Sequence, residues 1–380
     1  MTKLYLILYS QKNEVVASSL FAAGSGFSCK SLSKLQNSMS LFKTAMHDKN
    51  QESTSYKTFN GTVETMIDTD PLWFILENVD VGDATDEQSN GAVISQVLAN
   101  AGFETRMILL EAFNFALPQR RTRLFILAVN KNRATAELAN SPSEILDMAV
   151  TELLPICKTA PLPVDAFLDD DTSDRVVNEQ QRRQQVRTSK NRRTETEETD
   201  ELDLDASLKG GKWKDMHMQL AVSRGLTWPL ELPTGLTENP WFATLPAREQ
   251  EIIAFVQKKN DERIALNQSP YRFADLYHSA NRTPVSDAGV VPTVLPSGTV
   301  WDFTRSRLLT GHEQMGLQGI QMEFAHEISN NQAQDLAGNA FPATVVAALQ
   351  MAMLCAMQFP SAMEDVAMDQ VESLLNMILG

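Results

Sequence analysis

The sequence contains few of the residues that mark a disulfide-stabilised or metal-binding protein. Its 380 residues include three cysteines, Cys29, Cys157 and Cys355, and five histidines. The cysteines are too widely separated to predict a disulfide framework, and neither residue type shows the short spacing of a metal site. Scattered cysteines favour a reducing compartment. No apolar run is long enough to predict a membrane span, so we expect no contact with a membrane.

Basic residues are also scarce compared with acidic ones. The chain has 33 lysines and arginines against 48 aspartates and glutamates, for a formal net charge of −15. A nucleic-acid-binding surface would therefore have to be a local basic patch on an acidic protein. Six basic residues do cluster between Gln181 and Arg193, with acidic runs on both sides. We expect residues 169–207 to be a disordered charged insertion; alternatively, the basic cluster touches phosphate.

The residues that remain predict a substantial hydrophobic core and an α/β fold. Hydrophobic residues make up 43% of the chain. Apolar runs predict strands over Leu72–Leu76, Phe103–Leu110 and Arg123–Val129. Helical spacing predicts a helix over Asn90–Ala101, which Gly102 would end as a cap. Strands that alternate with helices of about ten residues indicate α/β units, whose ligands bind at the carboxyl ends of the strands.

The second half of the chain predicts an irregular segment followed by a return to regular structure. The period weakens near Asn132, so we place a domain boundary there. Further on, the pattern predicts a strand around Val291–Leu295 and a long buried helix over Gln332–Gln358. Shorter helices are predicted at Ala247–Asn260 and Gly311–Leu317.

Three polar features at the ends of these predicted strands suggest a common chemistry. Cys29 follows an apolar run, Glu77 ends one predicted strand, and Arg121 and Arg123 open another. A cysteine thiolate is a strong nucleophile, and a carboxylic acid and a cation can stabilise charge that develops on an electron-poor ring. In this order and spacing the residues favour thiolate attack on a pyrimidine. Each feature alone could equally be a core cysteine, a strand end or a solvated cation.

The stretches that hold these residues resemble the motifs of carbon-5 cytosine-specific DNA methyltransferases. GFSCKSLS resembles the catalytic loop, which places Cys29 as the nucleophile and Ser33 as the loop serine near the donor. ILENV resembles the Glu-Asn-Val signature, so the resemblance makes Glu77 the acid that holds nitrogen 3 of the cytosine. PQRRTR resembles the Gln-x-Arg-x-Arg signature. In that signature Arg121 and Arg123 are catalytic, and Arg123 faces oxygen 2.

Two later stretches extend the resemblance towards the C-terminus. SRLLTGHEQMGLQGI resembles the motif that supports target recognition, and AGNAFPATVV resembles the helix that closes the donor pocket. The resemblance implies that Asn339 binds S-adenosylmethionine. It also implies that Gln119, Arg121 and Arg307 contact double-stranded DNA, whose target base must be flipped out of the duplex. It further implies a nuclear location.

The sequence departs from the family pattern before the cysteine. Only 28 residues precede Cys29, so we expect the N-terminal S-adenosylmethionine-binding motifs to be missing. A second chain could supply that half. LFAAGSGFS resembles the family's opening glycine-rich loop, but Ala23 and Ser25 stand where glycines are expected. Ser28 and Lys30 replace the proline and glutamine beside the cysteine; a neighbouring lysine could lower the pKa of the thiol.

We therefore predict a Rossmann-like α/β methyltransferase fold that is truncated at its N-terminal side and carries an irregular inserted target-recognition region. Residues 1–131 and 286–358 would form the catalytic domain, residues 132–285 the inserted region, and residues 359–380 a C-terminal helix or tail. The predicted activity is transfer of a methyl group from S-adenosylmethionine to cytosine in DNA. Two alternatives stay open: an inactive remnant that binds DNA or a partner, and an enzyme that methylates RNA cytosine.

Overall fold

The computed structural model of the chain describes residues 5–6, 63–64, 66–78, 89–196, 204–233, 235–287, 289–296, 298–320 and 328–357. The strands are β1 (Tyr5–Leu6), β2 (Trp73–Asn78), β3 (Phe103–Glu111), β4 (Thr122–Asn130), β5 (Tyr271–Asp275), β6 (Val285–Asp287), β7 (Val300–Asp302) and β8 (Arg307–Leu308). The α-helices are α1 (Asn90–Asn100), α2 (Lys131–Glu137), α3 (Pro142–Asp147), α4 (Leu154–Ile156), α5 (Asp174–Thr196), α6 (Leu204–Ser223), α7 (Pro240–Ala243), α8 (Ala247–Ala265), α9 (Gly311–Gly316), α10 (Asn330–Asn339) and α11 (Ala343–Ala356).

The chain divides into two compact units that differ from the predicted domains. Unit 1 comprises Met1–Leu117, Arg121–Pro161 and Asn339–Gly380, and unit 2 comprises Pro118–Arg120 and Leu162–Gly338. The first unit thus continues past the boundary expected near residue 132, because α2, α3 and α4 pack into its core.

Unit 1 is built on a four-stranded sheet with the order β1-β2-β4-β3. Strand β1 pairs with β2 in parallel, whereas β4 is antiparallel to both β2 and β3. Three strands therefore run in one direction, and β4 runs between two of them in the other. The α/β architecture predicted from the sequence is confirmed in this unit.

The sheet is covered on both faces, which explains its nearly continuous apolar strands. Successive side chains of a strand point to opposite faces, so alternate residues of β2 and β4 enter two separate cores. One core holds Phe74, Leu76, Leu124 and Ile126 together with Ile94 and Leu98 of α1. The other holds Trp73, Ile75, Phe125 and Leu127 together with Val345 and Leu349 of α11. Each large apolar side chain buried in this way contributes about 1.5–3 kcal/mol.

The strands and the first helix lie close to their predicted positions. Strand β2 was predicted to stop at Leu76, but its ladder continues through Glu77 and Asn78, which pair with β4. Helix α1 ends at Asn100, and Gly102 follows with a φ of +91°, a left-handed conformation that glycine adopts readily. The prediction that Gly102 ends this helix is thus confirmed.

The predicted long helix over Gln332–Gln358 is wrong, because the chain forms two helices there. Helix α10 ends at Asn339 and α11 begins at Ala343, with a bend of 42° between them. Pro342 lacks a backbone N–H and disfavours helical geometry in the residue before it, so it interrupts the helix. No single helix in the described part of the chain is long and apolar enough to cross a membrane, although α10 and α11 together pass that test of length and composition.

Unit 2 is more regular than the irregular insertion we expected. Its four-stranded sheet has the order β6-β5-β7-β8, and each neighbouring pair is antiparallel. Helix α8 buries Ile253 and Phe255 in the same core as Trp301 of β7. The strand predicted around Val291–Leu295 is absent from the described residues there, where Val291 makes only an isolated bridge with Gln119.

The charged segment that we expected to be disordered contains a long helix. Helix α5 covers Asp174–Thr196 and includes the basic cluster. Glu179 on this helix is buried and lies 2.6 Å from Arg182 and 2.8 Å from Arg183. These contacts offset the repulsion between neighbouring cations, and Val176 anchors the start of the helix in the core of unit 2. Local charge patterning does not reveal such an anchor.

Gly338 provides a direct test of packing in unit 2. A Cβ atom at this position would lie 1.9 Å from the backbone nitrogen of Pro296 and 2.1 Å from the carbonyl carbon of Leu295. Backbone atoms cannot move aside as a flexible side chain can. We therefore expect Gly338→Ala to lower the free energy of unfolding by about 3 kcal/mol or more, measured by urea denaturation.

Gly316→Ala is the matched control for this substitution. The nearest atom to a Cβ at Gly316 is 3.7 Å away, which is an ordinary contact, and the residue ends α9. Alanine should be neutral or slightly stabilising there, by up to about 1 kcal/mol. Equal stability of the two variants would contradict the close packing around Gly338.

Candidate active site

Glu77 and Arg123 meet in unit 1 because β2 and β4 are antiparallel. In the ladder Glu77 is opposite Phe125 and Asn78 is opposite Leu124, so the end of β2 lies beside the start of β4. Arg123 is the second residue of β4. Its Nε lies 3.1 Å from Oε1 of Glu77. The structure thus brings together a carboxylate and a cation that are well separated in the sequence.

Both side chains of this pair are largely shielded from water. The exposed fraction is 22% for the Glu77 side chain and 10% for that of Arg123. Burial lowers the pKa of Arg123, and the charge and hydrogen bonding of Glu77 act in the opposite direction. Because the reduced solvent exposure weakens dielectric screening, the pair can act on a bound ring more strongly than it would in water.

Arg121 lies deeper than Arg123 and points into unit 1. Only 1% of the residue is exposed. The pKa of its guanidinium is lowered to about 9, chiefly by burial and also by the charge of Arg123, while the charge of Glu77 acts to raise it. The guanidinium therefore keeps its charge at neutral pH. Its Nη2 donates a hydrogen bond of 2.6 Å to the carbonyl oxygen of Ala340.

Asn339 directly precedes Ala340 in the chain. It is the last residue of α10, it is buried, and it belongs to unit 1. The resemblance assigned it to S-adenosylmethionine, and a buried amide can donate to and accept from the polar edges of such a ligand. The residue type therefore fits the predicted role. The structure places this amide directly before the carbonyl group that Arg121 holds.

The two residues predicted to contact DNA from unit 2 are buried. Gln119 is fully buried; its Nε2 donates to the carbonyl oxygen of Leu317 at 3.3 Å, and its Oε1 accepts from Gln318 at 3.4 Å. Gln318 also donates to the carbonyl oxygen of Ala337 at 2.9 Å. These bonds link three segments of unit 2, so Gln119 is engaged within the protein and is not presented to a DNA surface.

Arg307 is likewise enclosed within unit 2. Its guanidinium donates to both carboxylate oxygens of Glu313, to Asp171, and to the carbonyl oxygens of Asp169 and Leu308. Burial acts to lower the pKa of Arg307, but the bonds to Glu313 and Asp171 outweigh it and raise the pKa above its usual range. A guanidinium has five N–H donors, and these contacts occupy them. Arg307 therefore stabilises unit 2, which corrects our expectation that it touches DNA.

Sequence reasoning missed the partners of these buried polar residues. Glu313 and Gln318 both fall in the stretch that resembles the target-recognition motif, but the sequence does not show that they bind Arg307 and Gln119. The sequence does contain one indication of a structural role for Glu313. Thr310 followed three residues later by glutamate is the pattern of a capping box, and Glu313 closes that box at the start of α9.

Two predicted residues, Cys29 and Ser33, lie outside the described residues. The described site consists of Glu77, Arg121, Arg123 and Asn339, all in unit 1. Within the described ranges, no three histidine, cysteine, aspartate or glutamate side chains are grouped so that they could hold a metal ion. The arrangement presents a carboxylate, Glu77, beside a cation, Arg123, at one end of the sheet. The buried residue Asn339 directly precedes Ala340, whose carbonyl oxygen accepts a hydrogen bond from Arg121.

Comparison with solved structures returns methyltransferases at low similarity. The Dnmt2 methyltransferase of S. pombe is 14% identical with a TM-score of 0.34, and the match covers 80% of this chain and 74% of that one. A Spodoptera frugiperda DNMT2 variant is 12% identical with a TM-score of 0.36, over 78% of this chain and 70% of that one.

Comparison with curated sequences gives a relative that is far longer. A protein named DNA (cytosine-5-)-methyltransferase DMT5, from Verticillium dahliae, is 23% identical over 315 residues. The match covers 80% of this chain but 13% of the relative, so the chain corresponds to a small part of that protein.

The sequence profile of a single family spans the candidate site and both units. The profile of C-5 cytosine-specific DNA methylases matches residues 25–355. The match includes every predicted site residue from Cys29 to Asn339. This chain therefore belongs to the C-5 cytosine-specific DNA methylase family.

Proposed function

We propose that this chain transfers a methyl group to carbon 5 of a flipped cytosine in double-stranded DNA. The observation that carries the proposal is the pairing of Glu77 with Arg123 at one end of the unit 1 sheet, 3.1 Å apart. Membership of an enzyme family whose members act on cytosine gives this pair a substrate. In this proposal the pair supplies the acid and the cation that stabilise the ring during nucleophilic attack.

The reaction needs a nucleophile because carbon 5 of cytosine does not attack an electrophile readily. In the proposed mechanism the Cys29 thiolate forms a bond to carbon 6, and the ring electrons shift towards carbon 5 and the carbonyl group. Carbon 5 then takes the methyl group. Loss of the carbon 5 proton to a base restores the double bond and expels the thiolate. The cysteine therefore returns unchanged at the end of each cycle.

Glu77 and Arg123 divide the stabilisation of the ring between them. A carboxylic acid at nitrogen 3 can donate a proton or a hydrogen bond as electrons move onto the ring, and Glu77 is proposed for that position. The Arg123 guanidinium would face oxygen 2, where negative charge develops. Their mutual contact orients both groups before the base arrives, so little reorganisation is needed during the reaction.

The methyl donor is proposed to lie near Asn339. S-adenosylmethionine, when bound, supplies the methyl group as an electrophile. Asn339 would hydrogen-bond to it from the end of α10, and Ser33 is proposed to lie near the same donor. A second chain is proposed as the source of further donor-binding residues.

DNA binding is proposed for residues of unit 2 other than Gln119 and Arg307. The basic cluster on α5 is the best candidate, since it concentrates cations, including the partly exposed Arg187, in a chain whose net charge is −15. The same cluster and the family support a nuclear location in this proposal. An RNA substrate remains the alternative, which the assay below separates by offering both nucleic acids.

Replacement of the nucleophile should abolish methyl transfer. Cys29→Ser removes the thiolate, and a serine hydroxyl is far less acidic, so we expect activity to fall about 10⁴-fold or more. Activity is measured as incorporation of labelled methyl groups into unmethylated DNA of mixed sequence, and in parallel into RNA of mixed sequence. Incorporation into RNA alone would identify the alternative substrate.

Cys355→Ser is the control for that substitution, since Cys355 is an exposed thiol on α11. It should retain the activity of the native chain. Activity that survives Cys29→Ser would refute the thiolate mechanism. Absence of activity in the native chain as well would favour the inactive remnant.

Glu77 can be tested through a substitution that keeps its size. Glu77→Gln removes the acid, and we expect the turnover number to fall roughly 10²- to 10³-fold while the affinity for S-adenosylhomocysteine stays unchanged. Steady-state kinetics and calorimetry measure the two effects separately.

Glu111→Gln is the matched control, because Glu111 ends β3, on the far side of β4 from Glu77, where it pairs with Thr122. It should alter neither quantity. A Glu77→Gln variant with native turnover would show that this carboxyl group has no role in the chemistry.

A further inference from the structure

Arg121 is a charged residue whose burial must have a reason. It is almost completely inaccessible, and burial lowers the pKa of its guanidinium. Removing a guanidinium from water costs stability unless strong partners compensate. One hydrogen bond of Arg121 goes to the carbonyl oxygen of Ala340 at 2.6 Å.

The partner of Arg121 lies in the turn between α10 and α11. Residues 340–342 form this turn, which Pro342 keeps out of either helix. Phe341 packs in the same core of unit 1 as Phe115, and the Thr344 hydroxyl donates to the carbonyl oxygen of Phe115 at 2.6 Å. The turn is thus attached to unit 1 at several points. The bond from Arg121 to Ala340 attaches the turn to the polar end of the sheet.

This attachment places two functional groups in a fixed relation. Arg121 is two residues from Arg123, which contacts Glu77, and its guanidinium holds the carbonyl group directly after Asn339. The ring-binding pair and the donor-binding amide therefore meet at one side chain. Methyl transfer requires donor and acceptor atoms to be aligned to within a fraction of an ångström. A connection of this kind supplies that alignment.

We infer that Arg121 is a positioning residue, which sets the position of Asn339 and its turn relative to the Glu77–Arg123 pair. This inference rests on the proposed function, because it assigns Asn339 to the methyl donor. Arg121 itself contacts neither the base nor the donor. This positioning role differs from the catalytic and DNA-binding roles that we expected for Arg121 from the sequence, because both of those roles need an accessible guanidinium.

The inference is tested with two variants of Arg121 and one control. Arg121→Met keeps the length of the side chain but removes the donor, and Arg121→Lys keeps a charge and one donor. The control is Arg120→Met, since Arg120 is the adjacent residue in the chain and its side chain is exposed. Binding of S-adenosylhomocysteine to the purified 380-residue chain is measured by calorimetry. Amide hydrogen exchange of residues 340–346 reports on the turn.

We expect Arg121→Met to weaken S-adenosylhomocysteine binding at least tenfold and to speed exchange in the turn. Arg121→Lys should restore part of both effects, and Arg120→Met should change neither. A role in general stability would instead raise exchange throughout unit 1. In kinetic assays the KM for the donor should rise more than the turnover number falls, whereas loss of Glu77 affects turnover.

The exchange measurement separates this inference from the proposed function. If the native chain does not bind S-adenosylhomocysteine, the assignment of Asn339 fails, but faster exchange confined to the turn of Arg121→Met would still support the positioning role. Native exchange in that turn would overturn the inference whatever the chain binds. If Arg121→Met does not fold, Arg121→Lys carries the test, because it retains the buried charge but holds the carbonyl group of Ala340 more weakly, so exchange in the turn should still be faster than in the native chain.

Discussion

The antiparallel pairing of β4 with β2 is the constraint on which the candidate site depends. Glu77 lies near the end of β2 and Arg123 near the start of β4, so a parallel arrangement would place the two groups at opposite ends of the sheet. The pairing is fixed by apolar side chains that fill two cores, one on each face. The apolar cores thus fix the positions of the charged groups of the site. The turn between α10 and α11 is attached to the same sheet.

Part of this arrangement could be predicted from the sequence. Apolar runs located β2, β3 and β4 within two residues, and the polar residues at their ends identified Glu77 and Arg123 as neighbours. The direction of β4 could not be predicted, because alternation along a strand is the same in either direction. Nor could the break at Pro342, since the apolar pattern continues across it and suggests one helix.

The buried polar residues show a second limit of sequence reasoning. Gln119 and Arg307 lie in motifs that resemble those of an enzyme family, and polar residues in such motifs invite assignment to a ligand. Their hydrogen-bond partners, Gln318 and Glu313, are recognisable only after the chain has folded. The two buried arginines also differ in kind. Carboxylates raise the pKa of Arg307 and stabilise its charge, whereas burial lowers the pKa of Arg121.

The position of β4 inside the sheet has a consequence for how errors in folding would appear. Because side chains alternate along a strand, a slip of one residue in its pairing would send each apolar residue of β4 to the opposite core. The same slip would turn Arg123 away from Glu77. A chain that is misaligned by one residue therefore cannot keep a partly working site, and neither can it keep a well-packed core. The register of β4 that brings Arg123 to Glu77 is therefore the same register that buries its apolar residues correctly, so the site forms together with the fold.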